Sequence, residues 1–308
     1  MPGFDTDAVT EMRNGAARGD QLPPGPPPPP ERRAGSLRYR DAVVAQPLGY
    51  RPLTLDLVVP EADGPVPLVV HIYGGGFATG SHKTNSLGAH LVDRLLPQGV
   101  AVAAVQYRHS RESPFPAQVH DVKAAVRWLR HHAEVLGLDP SRFGAWGSSS
   151  GGYLATMLAV TADHPDLDGR LGITGPSSAV QAAVSWSAPV DFARMPPPPA
   201  GSPFHALGVD PHDWFLGTRV AEAPPIAMAA STSTYVGAGA APLQLAHGEQ
   251  DSGIPIDQSE EIAAAYERAG ATVQFERVPG AGHFFGDEDR KRLITLGLDF
   301  LQRHMPGR

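Results

Sequence analysis

Cysteine is absent from the 308 residues. That excludes disulfides, thiolate metal sites and a cysteine nucleophile, and leaves the redox compartment open. No uninterrupted apolar run approaches the ~20 residues of a membrane-spanning helix. Positive charge is in the minority: 25 Lys and Arg stand against 32 Asp and Glu, for a net charge of −7. A chain so balanced has no broad basic surface for nucleic acid or anionic lipid. The first residues are acidic and polar, where a signal peptide needs a basic start and an apolar core, so a cytoplasmic location is expected. Two nucleotide motifs also fail. A dinucleotide fingerprint opening at Gly74 needs glycine at 79, where Thr79 stands, and a P-loop opening at Gly75 needs lysine at 81, where Ser81 stands.

Glycine and proline, in contrast, are plentiful at 34 and 32 residues. Pro23, Pro24 and Pro26 to Pro30 favour polyproline II among neighbours with nothing to bury, so residues 1–35 are expected to form a disordered or surface-draped leader. Residues 36–308 are long enough and apolar enough for one α/β domain. Residues 37–44 and 53–60 suit strands, and 67–73, 100–105, 142–146, 180–187, 242–247 and 272–278 read as further strands, most of them buried. Between them, 85–96, 117–136, 153–160, 259–269 and 293–301 carry helical patterns, with Gly137 placed as a C-cap and residues 139–141 as a turn. Strands alternating with helices predict a mainly parallel central sheet with helices on both faces. Residues 190–230 are irregular and rich in proline, and are expected to form a short lid-like segment.

Ligand sites in such sheets lie beyond the carboxyl ends of the strands. Gly147-Ser148-Ser149-Ser150-Gly151 reads G-x-S-x-G between a strand and a helix, the context of a nucleophile elbow with Ser149 at its centre. A serine hydroxyl needs a base to take its proton, and the base needs an acid to orient it. Asp251, just after a strand, is the best acid, with Glu249, Asp257 and Asp191 as rivals. His283, in the glycine-rich loop after the last strand, is the best base. His247, His109 and His120 read as structural, and His131 and His132 as an exposed helix end. Consecutive glycines at 74–76 leave bare N–H groups that can face a developing oxyanion.

Taken with Tyr107-Arg108, Pro114 to Ala117, His120 to Arg130, Gly137 to Pro140, Pro189 to Phe192, His247 to Asp251 and Gly282-His283, these stretches give the chain a family likeness over residues 50–301. It resembles the α/β-hydrolases of the hormone-sensitive-lipase and carboxylesterase group, close to the bifunctional feruloyl/acetyl-xylan esterase-like branch. The resemblance implies Ser149 as nucleophile, Asp251 as acid, His283 as base, and oxyanion donors from Gly75, Gly76 and Ser150. Three positions depart from the family pattern: Tyr73 replaces the histidine that opens the glycine run, Ser150 replaces alanine after the nucleophile, and Arg111 stands where proline is common. They bear on substrate preference and loop geometry.

The expected activity is that of a serine carboxylesterase for short-chain acyl esters, without cofactor or metal. A deacetylase of acetylated sugars, or an acyltransferase, would use the same residues. A non-catalytic ligand-binding protein on the same fold is the reading from another class. Tyr73, Trp214 and Phe215, with Phe192, are expected around the substrate, core packing being the other role for each aromatic. The expected partner is a small-molecule ester, with no nucleic acid and no membrane span, and a homodimer is compatible with the sequence.

Overall fold

The computed structural model describes residues 21–162 and 164–305. Ten strands form one sheet: β1 (Gln21–Leu22), β2 (Glu31–Arg33), β3 (Ser36–Pro47), β4 (Leu53–Pro60), β5 (Val66–Ile72), β6 (Ala101–Val105), β7 (Leu138–Ser148), β8 (Ala182–Trp186), β9 (Leu243–Gly248) and β10 (Val273–Val278). Their spatial order is β1-β3-β4-β6-β5-β7-β8-β9-β10, with β2 on β3. From β6 to β10 every pairing is parallel, whereas β3 and β4 run antiparallel. This is the mainly parallel sheet expected of an α/β-hydrolase.

Among the described residues, five long helices cover it: α1 (Ser86–Leu95), α2 (Ala117–His131), α3 (Ser150–Val160), α4 (Asp257–Ala269) and α5 (Asp287–His304). The central strands are buried on both faces, so their apolar residues serve two cores at once. Leu68 and Val70 of β5 join α2, α3 and α4 in one core, while Val69 joins α1 and α5 in the other, beside Trp146 and Trp186. Helix α2 ends at His131 rather than running to 136; a separate turn, Ala133–Leu136, follows, and Gly137 closes it in the left-handed conformation with φ 69°.

Residues 1–20 of the leader lie outside the described residues, and 21–35 are laid on the surface of the domain. Gln21 pairs with Pro47, its side chain bonds Arg170 O and Gly172 N, and the Trp128 indole donates to Gly25 O at 2.9 Å. These contacts use backbone groups, which composition does not reveal. The turn read at 139–141 lies inside β7, where the register skips between Val66 and Leu68 of β5; the Asp139 carboxylate there accepts from Ser141 N. The irregular segment contains short helical turns, Phe192–Arg194, Pro203–Ala206, Pro211–Leu216, Val220–Glu222 and Pro224–Ala230. Asp191 and Asp210 cap two of them through N–H groups two residues on.

Candidate active site

At the carboxyl end of β7 the chain reverses into α3 through Ser149, held at φ 57° and ψ −129°. A non-glycine residue there is strained by about 1–3 kcal/mol, and the surroundings must enforce it. They do so by close approach. A side chain at Gly147 would meet Gly151 O at 2.1 Å, and one at Gly151 would meet Ile72 O at 2.1 Å. The Ser149 N–H donates to Trp186 O at 2.7 Å, tying the turn to β8. The hydroxyl is left at the head of the sheet.

His283 reaches it from the loop after β10, with Nε2 3.1 Å from Ser149 Oγ and Nδ1 2.7 Å from Asp251 Oδ2. A carboxylate only accepts, so the neutral imidazole carries its proton on Nδ1 and turns the Nε2 lone pair to the serine. The two supporting loops are joined: Glu249 N donates to Val278 O, and Gln250 N to Ala281 O. Asp251 is buried, and its Oδ1 accepts from Gly253 N and Ile254 N, both at 2.9 Å. Burial raises its pKa, but hydrogen bonds from His247 and His283, the His283 charge and the Ile254 N–H together hold it well below the usual carboxylate range.

His247 is the residue that sequence reasoning undervalued. Its Nε2 lies 2.8 Å from Ile254 O and 3.3 Å from Asp251 Oδ2, while Nδ1 meets Ser259 Oγ at 2.7 Å. The carbonyl can only accept, so Nε2 carries the proton, and the ring lies against the same Asp251 oxygen that His283 meets. Its place at the end of β9, four residues before Asp251, was the available signal. The rival acids lie elsewhere: Asp191 caps a turn through Ala193 N, and Glu249 and Asp257 are exposed.

The glycine loop stands opposite. Gly75, Gly76 and Phe77 have φ of 144°, 59° and 59°, and among the described residues no carbonyl takes a hydrogen bond from the Gly75 or Gly76 N–H. Phe77 anchors the loop, its ring stacked 3.9 Å from that of Phe215 and its carbonyl accepting from Ser110 N. Tyr73 does not face the cleft, as the substrate role expected for it requires. It is 1% exposed, stacks on Tyr107 with centroids 4.5 Å apart, and meets His109 Nε2 through its hydroxyl at 3.2 Å. Tyr107 in turn donates to Tyr73 O at 3.1 Å and lies 3.4 Å from Ser150 Oγ, so the added Ser150 hydroxyl points into the protein. The next residue, Arg108, holds the buried Asp121 carboxylate through side chain and backbone.

The other expected substrate contacts also need correction. Phe215 and Phe192 are fully buried in an aromatic cluster with Phe77 and Tyr153, behind the cleft. Trp214 is half-buried and faces the Arg111 guanidinium at 5.4 Å. Aromatic rings fill whichever apolar volume they can reach, and for Phe192 and Phe215 that volume is the core. The cleft, of about 630 Å³, holds Ser149 and His283 and is walled by Leu87, Phe204, Pro211, Ile254, Phe284 and Phe285. That size suits a small organic ligand. Away from it, Asp41, Asp56 and His82 bring possible metal-ligand atoms within 4.8 Å of one another, but the Lys83 ammonium sits 2.8 and 2.6 Å from the two carboxylates and balances them.

Residues 55–266 match the model of the BD-FAE family. The chain belongs to that family. Among curated relatives, Esterase LipQ of Mycobacterium tuberculosis is 29% identical over 76% of this chain and 55% of its own length. Probable carboxylic ester hydrolase LipM of the same organism is 30% identical over 65% of this chain and 45% of its own. This chain thus spans about half the length of those two relatives. Ethyl acetate hydrolase of Pseudomonas putida is 29% identical over 82% of this chain and 79% of its own. Among solved structures, a truncated carbohydrate esterase from gut microbiota superposes with a TM-score of 0.73 at 28% identity, covering 89% of this chain and 100% of that one. Thermogutta terrifontis esterase Est2 gives 0.69 at 25% identity, over 86% and 91%. The BD-FAE chain has the α/β-hydrolase fold of these esterases, and no described helix is long and apolar enough to cross a membrane.

Proposed function

We propose that the protein hydrolyses small carboxylic esters through an acyl-enzyme on Ser149. The observation that carries this reading is the hydrogen-bonded series Ser149–His283–Asp251, at 3.1 and 2.7 Å, opening into a cleft. Ser149 Oγ attacks the ester carbon as its proton passes to His283 Nε2. The carbonyl oxygen becomes an oxyanion, held by the N–H groups of Gly75, Gly76 and Ser150. When the carbonyl re-forms, the C–O bond to the alcohol breaks and His283 returns the proton to the departing oxygen. Water repeats the sequence on the acyl-serine, with His283 again taking and then returning a proton. Asp251 holds the tautomer and stabilises the imidazolium at both steps.

Short acyl groups are the proposed substrates, because a cleft of about 630 Å³ has to receive both halves of the ester. The relatives named for carboxylic esters and ethyl acetate support the same reading. The test is a series of p-nitrophenyl esters of rising chain length, with the native chain and Ser149→Ala. Turnover is expected to fall beyond about eight acyl carbons, and the variant to lose about 10⁶ in kcat. A fluorophosphonate should label Ser149 alone. Labelling at Ser148 or Ser150, or palmitoyl esters turning over faster than butyryl ones, would overturn the proposal.

A further inference from the structure

On the α1 side of the cleft the polar chemistry is unfinished. His71, near the end of β5, lines the same cavity as Ser149 and His283 and is only 1% exposed, yet neither of its ring nitrogens has a hydrogen-bond partner among the described residues. Trp186, at the end of β8, also lines the cavity; it is 2% exposed, and its indole N–H is likewise without a partner. Buried polar groups are normally paired, and such an exception needs an explanation. The site is also shaped for the ring. Gly88 of α1 faces it, and a side chain there would stand 2.9 Å from His71 Nδ1. Burial pushes the His71 pKa down to about 4, so the imidazole is neutral and offers one donor and one acceptor.

We propose that His71 forms a polar subsite for a hydroxyl group carried by the substrate away from its scissile ester. A hydroxyl is the complement of a neutral imidazole because it can donate to the ring's lone pair or accept from its N–H. A carboxylate or a bare carbonyl only accepts and would leave the lone pair unmatched. Arg290 also lines the cavity, but its guanidinium is engaged by Phe285 O and Asp287, so it does not supply an open anion site. The inference rests on the ester-hydrolase reading and adds a preference: hydroxylated esters over plain ones of the same length. A site built to hydrogen-bond a hydroxyl discriminates against analogues lacking it.

The test uses the full chain and two matched pairs of esters. Ethyl butyrate and ethyl 3-hydroxybutyrate place the hydroxyl on the acyl side; butyl acetate and 3-hydroxybutyl acetate place it on the alcohol side. In one pair the native protein should show a higher kcat/KM for the hydroxylated member. His71→Leu should lower that preference by about tenfold, the scale of one hydrogen bond, and His71→Gln should restore part of it. Gly88→Ala gives an independent reading if the histidine variants fold poorly. It favours the helix, but it crowds the ring, and the hydroxyl preference should fall again. Equal effects of both substitutions on plain and hydroxylated members, or no hydroxyl preference in the native protein, would overturn the subsite. If the native protein cleaves none of the four esters and no fluorophosphonate labels Ser149, the ester-hydrolase reading itself fails.

Discussion

Two sets of side chains in the cleft are built on opposite plans. Around Ser149, His283 and Asp251 every side chain is held by another: both Asp251 oxygens are engaged, and His247 is bonded at both ring nitrogens. At His71 and Trp186, which line the same cavity, the buried side-chain nitrogens have no partner among the described residues. Groups that must act at one distance are locked before substrate arrives, since a misplacement of about 1 Å can cost 10² in rate. Groups that recognise must keep a valence free for the ligand. On the proposed mechanism, hydrogen-bond saturation at one set of groups and its absence at the other divide reaction from recognition within one cavity.

The sharpest way to break that contrast is to unlock the saturated set. Asp251→Asn is expected to lower kcat by roughly 10³ to 10⁴, because an amide carries no charge and permits the wrong His283 tautomer. Asp191→Asn, at a residue that caps a turn, is expected to cost about tenfold or less. Steady-state kinetics on one activated ester compare the two, and the reverse ranking would move the acid to the earlier strand.

The open set should declare itself in stability rather than rate. The His71 pKa is lowered from 6.5 to about 4 by burial, so between those values the unfolded chain binds a proton that the folded one refuses. Stability therefore falls as pH drops through that window, and this histidine contributes about 3 kcal/mol to the loss. In denaturant unfolding, the stability lost between pH 7 and pH 4 should be smaller in His71→Leu than in the native chain by about that amount. Parallel profiles would show that His71 does not titrate from a buried neutral state.

The smallest expected effect concerns the draped segment. Deleting residues 1–35 removes β1, β2 and the Trp128–Gly25 hydrogen bond. The melting temperature should fall by a few degrees, at about 2–4 °C per kcal/mol for a chain of this size. An unchanged melting curve would show that these contacts are idle.

What the sequence made legible follows the same division. Ser149, Asp251, His283 and the glycines at 74–76 were identifiable because each occupies a strand end where the chemistry dictates the residue type, and the structure brings them together. The rest of the cavity lining was not. Phe204 and Ile254 come from irregular chain with no period to read, and His71 sits in an apolar run where one polar residue passes as a strand position. Tyr73 was assigned by nearness to the glycine run and Phe215 by its place in the segment expected to form a lid, and neither says to which side a ring turns. The strands at 21–22 and 31–33 escaped notice because their pairing uses the main chain, to which proline content is a poor guide.

The backbone hydrogen bonds joining the Asp251 loop to the His283 loop have a mechanical consequence. β10 lies at the margin of the sheet with β9 as its neighbour, so any flexing of that margin carries both loops as one piece. The imidazole and its carboxylate then ride together, and thermal motion is channelled into the separation between this pair and Ser149, which belongs to β7 near the centre. On the proposed mechanism, the separation between Ser149 and His283 is then the soft coordinate of the site, and the orientation of the imidazole on Asp251 is the stiff one.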